Sequence, residues 1–145
     1  SWNHETGYIL YWSRYGFSIR LVHESRDLSH YVIGRAPPTS PHIIPGTIKF
    51  SFVHQQANGE VWIKELDPAT LAVRPLVAIT GSNRNYCWTP GGKILRVDGN
   101  ELKWWAADAD QWQTFAQLDE QGIQGGTRVA VSPDATKLAV VGLPK

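Results

Sequence analysis

The sequence predicts an all-β fold assembled from four-stranded antiparallel repeats, and three observations carry that reading. The first is a phrase that recurs: a tight polar turn followed by a run of small and β-branched residues, as in "SPDATKLAVV" (132–141), "TPGGKILRV" (89–97) and "NHETGYILYW" (3–12). The second is its spacing. The residues opening each apolar run are Tyr8, Lys49, Lys93 and Lys137, which lie 41, 44 and 44 residues apart. That period suits either four-stranded propeller blades or helical-pair repeats. The third decides between them: apolar residues alternate with a period of two, and Gly, Pro and Asn-Gly breakers are too dense for helices. The expected architecture is therefore a β-propeller segment.

Within residues 40–80, "KFSFVH" alternates large apolar and polar residues, "QANG" turns, and "EVWIKEL" alternates again. "DPAT" is a second turn, because Pro presets φ and Asp caps the bend. "AVRPLVAI" is the next strand, and Pro75 places it at a sheet edge, since Pro cannot donate to a ladder. Residues 81–125 repeat the order with "NYCW", "KILRV", "DGN", "ELKWWA", a polar turn at 108–110 and "WQTFAQL". Asp98-Gly99 is a strong hairpin signal. Over 106–122 the spacing of Trp112, Phe115, Ala116 and Leu118 also fits a short amphipathic helix, but the segment's place in the repeat favours a strand. Residues 1–39 read "YILYWS", "RYG", "FSIRLVH", "ESRDLS" and "HYVIG". Residues 126–145 hold only two strands, a half-blade.

About 14 strands result, or three and a half blades. Propellers close with about four to eight, so the expected ring is incomplete in one chain. The apolar residues Val129, Val131, Leu138, Val140 and Val141 would then need cover, and a non-monomeric state is expected. Trp12, Trp62 and Trp104 are expected in the core, with Trp105 and Trp112 more exposed. Lone Cys87, between Tyr86 and Trp88, reads as a small buried hydrophobe rather than a reactive thiol.

Composition narrows the function. A formal net charge of +1 on 145 residues gives no reason to expect nucleic acid. No apolar run approaches the ~18 residues of a membrane span. Beginning at Ser1 rather than Met, the chain is expected to have lost an export signal or N-terminal portion. No Cys pair or His-Glu-x-x-His is present, "DADQ" lacks the remaining ligands of a calcium loop, and no Gly-x-Ser-x-Gly elbow occurs. Asp119 and Glu120 are adjacent, so on a strand they point to opposite faces. No catalytic residue, metal or cofactor is therefore assigned.

The repeats resemble those of TolB-type bacterial β-propellers, variations on "aWSPDGkkiaf…iw.vdl.tG". The matching stretches are "VSPDATKLAVV", "WTPGGKILRV", "WNHETGYILYW" and "GEVWIKELDPATLAV"; "SPHIIPGTI" departs from the pattern and suggests a bulge or displaced edge. The resemblance implies repeats at 1–39, 40–80, 81–125 and 126–145. It further implies a non-catalytic scaffold that engages a protein or peptide through its rim loops, and a periplasmic or exported setting. Two alternatives stand beside it: the propeller portion of a prolyl-oligopeptidase-like hydrolase, and a repeat protein completing its ring with a second copy.

In propellers the ligand-facing loops are those leading into each inner strand and those joining second to third strands. Here they are 35–42, 81–86 and 121–128, with 13–16, 54–59 and 98–100. His42, Arg84 and Arg128 take similar positions in consecutive repeats, and Arg14, Tyr15, His54 and Tyr86 extend them. Such a basic, aromatic-edged rim suits an acidic peptide, carboxylate or phosphate, because guanidinium binds planar anions bidentately.

Overall fold

A computed structural model describes residues 38–145 in full and, of the first 37, the backbone of 2–3, 7–13 and 16–21. The fold is all-β. The described residues form thirteen strands in four antiparallel sheets, and the chain divides into two compact units, Ser1–Thr80 and Gly81–Lys145.

The first unit holds two sheets. β1 (Trp2–Asn3), β2 (Tyr8–Ser13) and β3 (Gly16–Leu21) form a three-stranded meander, with Trp2 opposite Ile9 and Tyr11 opposite Ser18. The segment "HYVIG" and the loop residues Arg14 and Tyr15 lie outside the described residues. β4 (Thr39–Ile43), β5 (Phe50–Gln55), β6 (Val61–Leu66) and β7 (Val73–Ile79) form a four-stranded sheet in sequence order. Phe50 to His54 are all buried, so β5 is covered on both faces and has no polar side to alternate with. Its phenylalanines stand on one face, with Phe50 opposite Leu66, and neither of these two side chains has any exposed surface. Pro75 sits on β7, the edge strand, beside a register shift between Ile63 and Lys64. At the departure from the repeat pattern, β4 is bulged between Thr39 and His42, and Ser40 takes a φ of 51°.

Glu65 is the charged residue that this sheet buries, and two cations hold it. Arg74 grips both its carboxylate oxygens at 2.7 and 3.1 Å, and Lys49 reaches it at 2.8 Å. The Arg74 bond and the nearby charges keep the carboxyl below its usual range against the opposing effect of burial.

The second unit stacks a hairpin on a four-stranded sheet. β8 (Tyr86–Trp88), β9 (Ile94–Asp98), β10 (Glu101–Ala106) and β11 (Gln111–Gln117) pair in sequence order, and a 3-10 turn at Asp119–Gln121 leads to β12 (Ile123–Val131) and β13 (Leu138–Pro144). The segment after Ala106 is therefore a turn and a strand, not a helix. Between hairpin and sheet lies a core of Cys87, Leu95, Val97, Leu102, Leu118 and Val129, against which Trp104, Val131 and Val140 also pack. Burial pushes the Cys87 thiol up to about 11, consistent with its reading as a small hydrophobe. The tryptophans divide differently from expectation. Trp62 and Trp104 are half-buried, as are Trp105 and Trp112, which pack edge to face at 5.4 Å. A ring that large keeps one side in a neighbour's contact and the other in water.

The recurring turns share one backbone feature. Gly7, Gly46 and Gly92 take φ of 74°, 73° and 81°, the left-handed region that glycine enters without a Cβ penalty. In the last turn the corresponding residue is Ala135, at φ 58°. The turn forms regardless: Ala135 N–H donates to Ser132 O, and Asp134 accepts from Ser132 Oγ and from Thr136 N–H. Those bonds hold the Asp134 carboxyl down at about 2. Ala135→Gly is accordingly expected to stabilise the protein by about 0.5–1 kcal/mol, the left-handed penalty less the added chain entropy. Urea unfolding checks this as a raised midpoint at unchanged slope.

Candidate functional site

In the second unit three loops meet at one end of the sheets, and asparagine side chains join them. The loop leading into β8 begins at Gly81, whose φ of 84° and proximity to Asp98 leave little room for a side chain; a Cβ there would stand 2.9 Å from Asp98 Oδ1. Two residues on, Asn83 Nδ2 donates to Val97 O at 3.0 Å and to Thr127 O at 3.1 Å. Asn83 Oδ1 in turn accepts from Asn85 N–H at 3.0 Å, and Asn85 Nδ2 donates to Thr127 O at 3.1 Å. The β9–β10 turn closes the arrangement. Gly126 N–H donates to Gly99 O at 3.1 Å, Gly125 N–H to Asn100 Oδ1 at 2.8 Å, and Leu118 N–H to Asn100 O at 2.7 Å. Loops at 81–86, 98–100 and 122–128 thus form one polar ledge.

Beneath it lies Arg96, whose side chain is 1% exposed. Its guanidinium donates to Asn83 O at 2.9 Å, stands 3.7 Å from Asp98 Oδ1 and lies 5.4 Å from the Trp112 ring. A cation so buried needs such partners, and through Asn83 it supports the loop from below. Lys103 bridges Glu101 at 2.9 Å and Asp98 at 3.1 Å, which raises its own pKa and lowers that of Glu101.

The residues expected at a rim fall in different settings. Arg84 is half-buried in the first loop, and Arg128, exposed on β12, follows Thr127 directly; the loop contacts bring these two segments together. Tyr86, 2% exposed, opens β8 opposite Arg96 and belongs to the packing. In the first unit, His42 is half-buried on bulged β4, opposite Ser51. His54 is buried on β5, with Lys64 Nζ 3.2 Å from its Nδ1. Asn83, Asn85 and Arg96 were not anticipated. The signals available were an Asn pair just before a strand, where Asx side chains bond backbone, and an arginine inside the apolar run "ILRV".

Burial, followed by the Lys64 charge, lowers the His54 pKa from 6.5. The unfolded chain therefore takes up this proton first as pH falls. The contribution of His54 to stability is complete above pH 6.5 and is lost as pH drops below it. Urea midpoints measured from pH 7.5 to 5 are expected to fall, with a shallower fall in His54→Gln.

The asparagine amides and the carbonyls they hold are engaged within the joint. The chemistry that the ledge turns outward is therefore that of exposed Arg128 and half-buried Arg84, and a guanidinium binds a carboxylate bidentately. Among the described residues no three His, Cys, Asp or Glu side chains gather as a metal-binding group. No helix of the described residues is long and apolar enough to cross a membrane. No protein-family model matches this chain, and no curated protein does.

Proposed function

We propose that the chain is a non-catalytic binding scaffold built of TolB-type propeller blades, engaging a protein or peptide at the ledge that carries Arg84 and Arg128. The repeat spacing and the two four-stranded meanders support the blade reading. The observation that carries the binding site is the asparagine joint, which gathers three loops from separate strand connections onto one surface. A surface preorganised in this way loses little entropy when it binds. The test is calorimetric titration with an acidic decapeptide at low and physiological salt. Binding is expected, weakened by salt, and reduced at least tenfold in an Arg84→Ala/Arg128→Ala double variant. Binding indifferent to both changes, or none, overturns the reading.

A second reading, a ring completed by another copy, is favoured by the outward face of the β12–β13 hairpin. There Arg128, Ala130, Ala139 and Val141 line a shallow hollow, with Val141 57% exposed. Light scattering after size exclusion tests it. A mass near twice 16.2 kDa supports it, and a clean monomer rejects it.

A further inference from the structure

Of the five asparagines in this chain, Asn58 alone is followed by glycine. It stands at the tip of the β5–β6 hairpin. Gly59 N–H donates to Gln56 O at 3.0 Å and Gln56 N–H to Glu60 O at 2.7 Å, so the strands close through residues 57–59. Gly59 takes a φ of 89° there, and a Cβ on it would meet nothing within 4 Å. Ala57, Asn58, Gly59 and Glu60 are all exposed.

Two features turn this tip toward chemistry. Glu60 N–H donates to Asn58 Oδ1 at 3.1 Å. That N–H faces the oxygen on which negative charge gathers when a nucleophile adds to the side-chain carbonyl. The nucleophile at hand is the next backbone nitrogen, that of Gly59, and with no Cβ beside it nothing crowds its approach. What restrains the nitrogen is one hydrogen bond to Gln56 O at an exposed tip, where local opening costs least. Asp98, which also precedes a glycine, shows the contrast. Its carboxylate stands 3.1 Å from Lys103 Nζ and 3.7 Å from Arg96, and an anion is a poor target for a nucleophile. Its turn is pinned from outside by Gly126 N–H on Gly99 O and by Gly125 N–H on Asn100 Oδ1. Among the described residues, Asn58 and Gly59 have hydrogen bonds only with residues 55–60.

We propose that Asn58–Gly59 is a self-modification site at which the chain deamidates. The Gly59 nitrogen, its proton lost to hydroxide, attacks Asn58 Cγ. The Cγ–Nδ2 bond then breaks, and Nδ2 leaves as ammonia with a proton from water, which restores the hydroxide. Water opens the resulting cyclic imide at either carbonyl, so residue 58 becomes aspartate or isoaspartate. The net change is one water in and one ammonia out, a covalent modification that adds a charge. Isoaspartate carries the chain through the side-chain carbon and lengthens the backbone at the tip. The Asn58 amide, which with the Trp62 indole keeps the Glu60 carboxyl below its usual range, gives way to a carboxylate. Like charges then share the turn, and the Gln55–Val61 end of the ladder loosens.

The test keeps the 145-residue protein in isotopically labelled water at pH 7 and pH 9, digests it in acid and maps the peptides by tandem mass spectrometry. Residue 58 is expected to exchange NH for labelled oxygen, with isoaspartate in excess over aspartate. The rate should exceed that at Asn83, Asn85 or Asn100 at least tenfold, and should rise with pH. Gly59→Ala, with its urea midpoint measured alongside, is expected to slow the reaction at least tenfold. In the isoaspartyl form, amide exchange at Gln56 should quicken. Asn58 left intact at pH 9 overturns the proposal, as does faster reaction at another asparagine. Aspartate formed without isoaspartate, or a rate indifferent to Gly59→Ala, also overturns it, because neither passes through the imide.

Discussion

Phe50→Ala is expected to lower the free energy of unfolding by about 3–5 kcal/mol, the range for deleting a phenyl ring from a close-packed core. Phe50 has no exposed surface, and its cross-strand partner Leu66 is equally enclosed. β5 is covered on both faces, so neighbours cannot collapse into the gap from a free side, and the cost falls toward the upper part of the range. For a domain whose whole stability is about 5–15 kcal/mol, such a change brings the folded state close to the threshold. Phe115→Ala provides the control. With that ring 48% exposed, the expected loss is about 1 kcal/mol or less. Urea unfolding of the two variants side by side measures the difference. Equal losses would show that double burial is not what stabilises this sheet.

Asn83→Asp is expected to cost about 2–3 kcal/mol and to abolish binding at the loop ledge. The substitution keeps shape and removes a donor, so Val97 O and Thr127 O lose their shared N–H groups and face a carboxylate instead. Unsatisfied polar groups of this kind cost about 1–3 kcal/mol each when buried, and less where they are partly wet. Asn83→Ala should fall near the same value if hydrogen bonding dominates. Amide exchange at Asn85 and Gly126, whose N–H groups bond within the joint, should quicken in both variants while the β9 amides stay protected. Unchanged exchange there would mean that the loops hold together without the side chain.

The parts of the fold legible in the sequence are those governed by local chemistry. Asp98-Gly99 marked a hairpin, and Pro75 marked an edge strand. Alternation in "ELKWWA" and "WQTFAQL" marked β10 and β11. Three classes of residue were harder to read. Tyr86 and His54 are amphipathic, and a doubly buried sheet has no polar face to reveal which way they turn. Asn83 acts through Thr127, 44 positions away, a pairing that no local pattern carries. Arg96 breaks an apolar run for reasons visible only once Asn83, Asp98 and Trp112 surround it.

The uncharged edge of β13 also bears on the protein's life in a cell. Charge is confined to Lys137 and Lys145 at its two ends, with seven neutral residues between them. A neutral strand of this kind lacks the charges that keep extended chains apart, and association of such chains rises with concentration. Surplus chain is then the form most readily taken by chaperones and proteases.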